Sequence, residues 1–116
     1  MAPDQPAVAA TCGCGHEGDP ARKAVGVDAG LKDRNLKRLR RIEGQVRGLQ
    51  RMVDEERYCA DIMTQIASVQ EALRSVGREL MRNHLKHCAA SAIRSGEASA
   101  EAMYDELIDL MYKNVR

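Results

Sequence analysis

The sequence predicts an all-α chain of three helices, built to share its core with at least one further copy. Three observations carry this. No proline occurs from Leu31 onward, apolar residues recur at steps of three and four through two long stretches, and the segments between those stretches are short. Long helices with short connections cannot close a core within one chain, so a bundle of two or more chains is expected.

Residues 1–30 hold all three prolines and five of the nine glycines with little apolar periodicity, which reads as a flexible tail ahead of a helical domain over 31–116. The first helix is expected over 31–56, carried by Leu36, Leu39, Ile42, Val46, Leu49 and Val53. Those positions share one sector at 100° per residue. Lys37, Arg40, Arg41, Arg47 and Arg51 fall in the opposite sector, with Gly44 and Gly48 among them. A second helix is expected from Cys59 to Ile93 through Ile62, Ile66, Val69, Leu73, Val76 and Leu80, with Gly77 as its one weak point. The segment RSGEAS should end it. Ser99 stands where an N-cap is wanted for a shorter third helix striped by Met103, Leu107 and Leu110.

The net charge of +1 conceals a polarised layout. From Arg34 to Arg51 there are seven basic residues against the single acid Glu43, whereas Glu97 to Asp109 holds five acids and no base. A polyanion is the natural partner of the first stretch. No run approaches the length of a membrane span, and the N-terminus has no basic region followed by an apolar one, so a cytoplasmic protein is expected. In a reducing compartment, Cys12, Cys14, Cys59 and Cys88 suit metal or redox chemistry better than a disulfide framework. No activated nucleophile or acid/base pair is apparent, which argues against an enzyme.

The fragment HLKHC sets His84 and Cys88 four residues apart on one helix face. Cys59 opens the same helix at nearly the same azimuth, yet roughly 38 Å away at 1.5 Å per residue. One chain cannot close such a site. An antiparallel copy brings the Cys59 end of one subunit beside the His84 and Cys88 end of the other, and two-fold symmetry then makes two identical sites. Two thiolates and one imidazole form a soft, three-donor set that favours Cu(I) over structural Zn(II). The competing reading is that each cysteine is a small buried hydrophobe. His87 lies about 100° from the shared face and is expected in solvent.

The stretch RLRRIEGQVRGLQRMVDEERYCADIMTQIASVQ, followed by NHLKHC, resembles the copper-sensing operon repressor (CsoR) family of bacterial transcriptional regulators over about residues 33–112. The resemblance implies an all-helical dimer that pairs into a dimer-of-dimers tetramer. It implies a repressor that binds operator DNA when metal-free and releases it when its effector binds. It puts the copper ligands on Cys59, His84 and Cys88. It also matches Tyr58 and Glu106 to the residues that support those ligands.

For the basic face the ordinary reading is a solvated helix surface. The near absence of acids and the glycines on that face favour DNA instead, through phosphate contacts and DNA shape, since no helix-turn-helix pattern appears. Arg38, at the edge of the face, matches a family position implicated in DNA contact. The tail segment CGCGHEG adds Cys12, Cys14 and His16 as a possible auxiliary metal chelate that the family pattern does not require. The expected function is a Cu(I)-responsive repressor. A nickel, zinc or persulfide sensor of the same family is the alternative, and a copper-storage or carrier bundle is the alternative from another class.

Overall fold

Gly30 opens the helical body. The structure, a computed structural model, describes residues 21–114. Gly30 takes φ 82°, a left-handed conformation that costs a glycine little, and its carbonyl accepts the Arg34 amide at 3.0 Å. Helix α1 then runs Leu31–Asp54, with Asp33 in its first turn at the positive end of the helix dipole.

Helix α1 ends in a Schellman motif. The Arg57 amide donates to the Met52 carbonyl at 2.9 Å and the Glu56 amide to the Val53 carbonyl at 3.1 Å. This motif puts Glu56 at φ 55°, the position where glycine is usual.

Helix α2 runs Cys59–Asn83, and a π-helical segment, His84–Ala89, and helix α3, Ala90–Arg94, continue it. Asn83, His84 and Ala90 all keep right-handed helical angles, so the three pieces form one rod. The second helix expected from Cys59 to Ile93 is present in extent but is not α-helical throughout. Gly96, at φ 133°, breaks the rod, and α4 follows over Glu97–Asn114. The Ala100 amide donates to the Gly96 carbonyl at 2.9 Å. Ser99 is therefore inside α4 and is not its N-cap, because the glycine turns the chain three residues sooner than the serine would.

A short link makes α1 and α2 an antiparallel hairpin. Ile42, Val69 and Val76 form its buried cluster, with Leu49 and Ala72 packed against them. Seven-residue steps extend this seam to Asn35 on α1 and Asn83 on α2, which are 7% and 6% exposed. At the far end of the rod α4 packs on α3, with Ala100 and Met103 buried. A second apolar stripe stays uncovered, since Leu39, Val46, Ile66, Leu73 and Leu80 are all exposed. Among the described residues no strand occurs, and no helix is long and apolar enough to cross a membrane.

Residues 22–28 lie against the π segment as a strap. Asn83 clamps it at two points: its Oδ1 accepts the Asp28 amide at 2.9 Å and its Nδ2 donates to the Gly26 carbonyl at 2.8 Å. Within the stretch 1–30 expected to be a flexible tail, residues 22–28 are instead held by polar contacts, where apolar periodicity gave no sign of order.

Candidate metal centre

The rod separates the three expected ligands into two half-sites. Cys59 is exposed at the first residue of α2, where the Tyr58 carbonyl accepts the amides of Asp61 and Ile62 at 3.0 and 3.2 Å. Tyr58 itself is exposed. His84 and Cys88 both belong to the π segment, and a four-residue step there falls just short of one turn, so they project from one side. Single π turns of this kind recur at functional sites because they re-aim side chains within a helix. Among the described residues no three metal-binding side chains cluster within the chain.

His84 and Glu106 meet across the rod and α4. The imidazole Nε2 lies 3.1 Å from Glu106 Oε2, close enough for an ion pair when the ring is protonated but off line for a hydrogen bond, so this buried nitrogen has no hydrogen-bond partner. The other carboxylate oxygen, Oε1, lies 3.7 Å from Arg22 Nη2 on the strap. The pairing of His84 with Glu106 leaves Nδ1 as the ring nitrogen available to a metal.

The strap also reaches Cys88 directly. The Val25 amide donates to Cys88 Sγ at 3.4 Å. Asp28 Oδ1 accepts from His87 Nε2 at 2.7 Å, and Oδ2 from Lys86 Nζ at 3.2 Å. These two hydrogen bonds, His87 first, hold the Asp28 carboxyl below its ordinary range. The expectation that His87 is solvated is corrected: it lies off the ligand face but is half-buried, with its ring against Gly26 and its Nε2 on Asp28. Sequence reasoning missed Asn83, Asp28 and Arg22. The available signal was Asn83, a polar residue where the stripe through Val69 and Val76 calls for an apolar one.

On α1, Lys37 pairs with Asp33 at 3.3 Å and Arg47 with Glu43 at 3.2 Å. Arg40 and Arg41 are exposed, and among the described residues neither forms an ion pair. Arg38 is half-buried, with Nη1 buried and without a hydrogen-bond partner. The basic face is thus narrower than its charge count suggests. Cys12, Cys14 and His16 lie outside the described residues.

Residues 31–113 match the family described as Metal-sensitive transcriptional repressor. The chain is 49% identical over 82 residues to the copper-sensing transcriptional repressor CsoR of Bacillus subtilis (strain 168), covering 71% of this chain and 79% of that protein. It is 46% identical over 85 residues to the copper-sensing transcriptional repressor RicR of Mycobacterium tuberculosis (strain ATCC 25618 / H37Rv), covering 73% and 88% respectively. Among solved structures, the copper-sensing repressor CsoR with Cu(I) from Geobacillus thermodenitrificans NG80-2 superposes with a TM-score of 0.69 at 42% identity, covering 80% of this chain and 96% of that one. The helical hairpin, the cysteine and histidine on its rod and these likenesses agree: the chain belongs to the CsoR family of metal-sensitive transcriptional repressors.

Proposed function

We propose that this protein is a Cu(I)-responsive repressor that binds operator DNA when metal-free and releases it when the metal binds. It works in the cytoplasm as an antiparallel dimer that pairs into a tetramer. The observation that carries the reading is the split of soft donors along one rod, with Cys59 at its start and His84 and Cys88 on the π segment. The uncovered apolar stripe supports the antiparallel copy that would unite the two halves, since burying it returns about 25 cal/mol per Å² of apolar surface. The names of the relatives, and the Cu(I) in the related structure, support the choice of metal.

The donor set fits this metal. Two thiols and an imidazole suit Cu(I), which when bound supplies a soft acid that holds its ligands in one fixed arrangement. Cys59 and Cys88 would give up their thiol protons on binding, and His84 would offer Nδ1 while its Nε2 faces Glu106. Glu106 thereby ties the orientation of the imidazole to the position of α4. Arg40 and Arg41 are the leading DNA contacts, with Lys37 and Arg47 engaging phosphate once their helical partners let go. Arg38, with its buried guanidinium end, contributes at the rim of that face.

The test is an operator-binding titration with the apo protein, repeated with Cu(I), Ni(II) and Zn(II). Tight apo binding that only Cu(I) relieves supports the reading. Relief by Ni(II) or Zn(II) alone moves the protein to another metal, and no operator binding in any state overturns the repressor.

A further inference from the structure

We propose that the strap sets the metal selectivity of the half-site by holding His87 away from the ion, which leaves the site with three donors. This inference rests on the copper reading above. His84 and His87 are three residues apart, a spacing at which one helix can supply two ligands to a single metal site, and Cys88 follows directly. With His87 added, the set becomes two thiolates and two imidazoles, the composition of a four-coordinate Zn(II) site. The strap prevents this at both ring nitrogens. His87 Nε2 donates to Asp28 Oδ1 at 2.7 Å. Nδ1, the nitrogen that this pairing leaves with a lone pair, faces Gly26 so closely that a Cβ there would stand 3.0 Å from it.

Asp28 is the specificity-determining residue, and its position does not depend on His87 alone. Its Oδ2 accepts from Lys86 Nζ at 3.2 Å and its amide donates to Asn83 Oδ1 at 2.9 Å. The Asn83 Nδ2 bond to the Gly26 carbonyl, 2.8 Å long, fixes the strap backbone over the ring. The contact at Cys88 differs in kind. There the Val25 amide donates to sulfur at 3.4 Å, and sulfur is a weak acceptor that a metal recruits at little cost. To recruit His87, an ion must break a short hydrogen bond to a carboxylate and lift the strap. The strap therefore yields the thiol and withholds the imidazole. Cu(I) is satisfied by the three soft donors that remain, whereas Zn(II) lacks the fourth ligand of its usual tetrahedron.

The experiment is titration of the full chain with Cu(I) in competition with a coloured Cu(I) chelator and, separately, with Zn(II) in competition with a fluorescent Zn(II) chelator. Asp28→Ala should leave Cu(I) affinity within a few-fold of the parent and raise Zn(II) affinity on the order of tenfold, within the range that partners of metal ligands are worth. Gly26→Val, which drives the ring from the strap by sterics, should do the same. In an Asp28→Ala, His87→Ala double variant the gain should vanish, and His87→Ala alone should match the parent for Zn(II). Zn(II) affinity unmoved by both strap variants, or a gain that survives the loss of His87, overturns the proposal. So does a drop in Zn(II) affinity in His87→Ala alone, since the ring would then already be a ligand beneath the strap. The copper reading fails separately: Cu(I) affinity unchanged by Cys88→Ala overturns the site itself and the strap's role with it, whereas Cu(I) binding that depends on Cys88 confines any failure to the strap.

Discussion

Glu106 is shared by two partners, with Oε2 at 3.1 Å from His84 Nε2 and Oε1 at 3.7 Å from Arg22 Nη2. One carboxylate on α4 therefore touches both the rod and the strap, and any reorientation of the imidazole reaches both.

The first prediction follows from that contact. Glu106→Ala should leave Cu(I) affinity within a few-fold of the parent while removing most of the copper response at the operator. Coupling free energies of this kind are about 1–3 kcal/mol, or roughly 5- to 150-fold in affinity. Operator affinity with and without Cu(I), measured by fluorescence anisotropy, decides it. A variant that releases DNA as the parent does shows that the signal bypasses this contact.

The ligand set gives the second. Cys59→Ala or Cys88→Ala should weaken Cu(I) binding at the main site by several orders of magnitude while the apo variants still bind operator. A mixed dimer, with Cys59→Ala in one chain and His84→Ala with Cys88→Ala in the other, should keep one intact site if, as proposed, each site draws on both chains. A mixed dimer in which no such site survives would show the ligands to come from one chain.

On the basic face, Arg40→Ala with Arg41→Ala should weaken operator binding and flatten its salt dependence by about one unit of slope per lost phosphate contact. Cu(I) affinity should not move. Lys37→Ala should have a smaller effect, since that side chain is already paired to Asp33 in the free protein. An unchanged slope in the double variant excludes this face.

Glu56 offers a stability test. An L-residue in the left-handed region is strained by about 1–2 kcal/mol, and the Schellman motif prefers glycine there. Glu56→Gly should raise stability by about 1 kcal/mol, read from the urea midpoint at unchanged slope. A lower midpoint would mean that the carboxylate contributes more than the backbone strain removes.

The strap can be dislodged without touching a ligand. A Cβ on Gly26 would stand 3.0 Å from His87 Nδ1, so the larger Gly26→Val should force the ring and the strap apart. The amides of Val25 and Asp28 should then exchange with solvent at least tenfold faster. The parent strap should hold from neutral pH downward: the Asp28 carboxyl is depressed, so its contribution is full above the ordinary carboxylate range near pH 4 and fades only as pH falls through the lower folded value. Loss of strap protection already at pH 5 to 6 would show that Asp28 is not its anchor.

The helices were legible because they depend on periodicity, and the same counting of turns singled out Cys59, His84 and Cys88 as candidate ligands. Steps of three and four along α1 and α2 report which face is apolar, and whole turns between Cys59, His84 and Cys88 report a shared side. The π segment was not legible, since a single wide turn leaves no trace in a pattern of apolar residues. Ser99 misled because a favourable cap residue competes with the backbone freedom of Gly96 three positions earlier. The strap escaped because it is held by amide, carboxylate and imidazole groups whose partners lie more than fifty residues away. His87 was misplaced for the same reason: helix azimuth says nothing of a second segment arriving over it.

The two buried asparagines of the hairpin bear on alignment. Asn35 and Asn83 continue the seam of Ile42, Val69 and Val76 at one end only. Were α1 to slide one heptad along α2, an amide would come to rest among valines and isoleucine, where an unpartnered polar group costs about 1–3 kcal/mol. An all-apolar seam would tolerate that slip, whereas a polar seam residue specifies a single registry at some cost in stability. The hairpin is therefore pinned lengthwise by two side chains that contribute little to its cohesion.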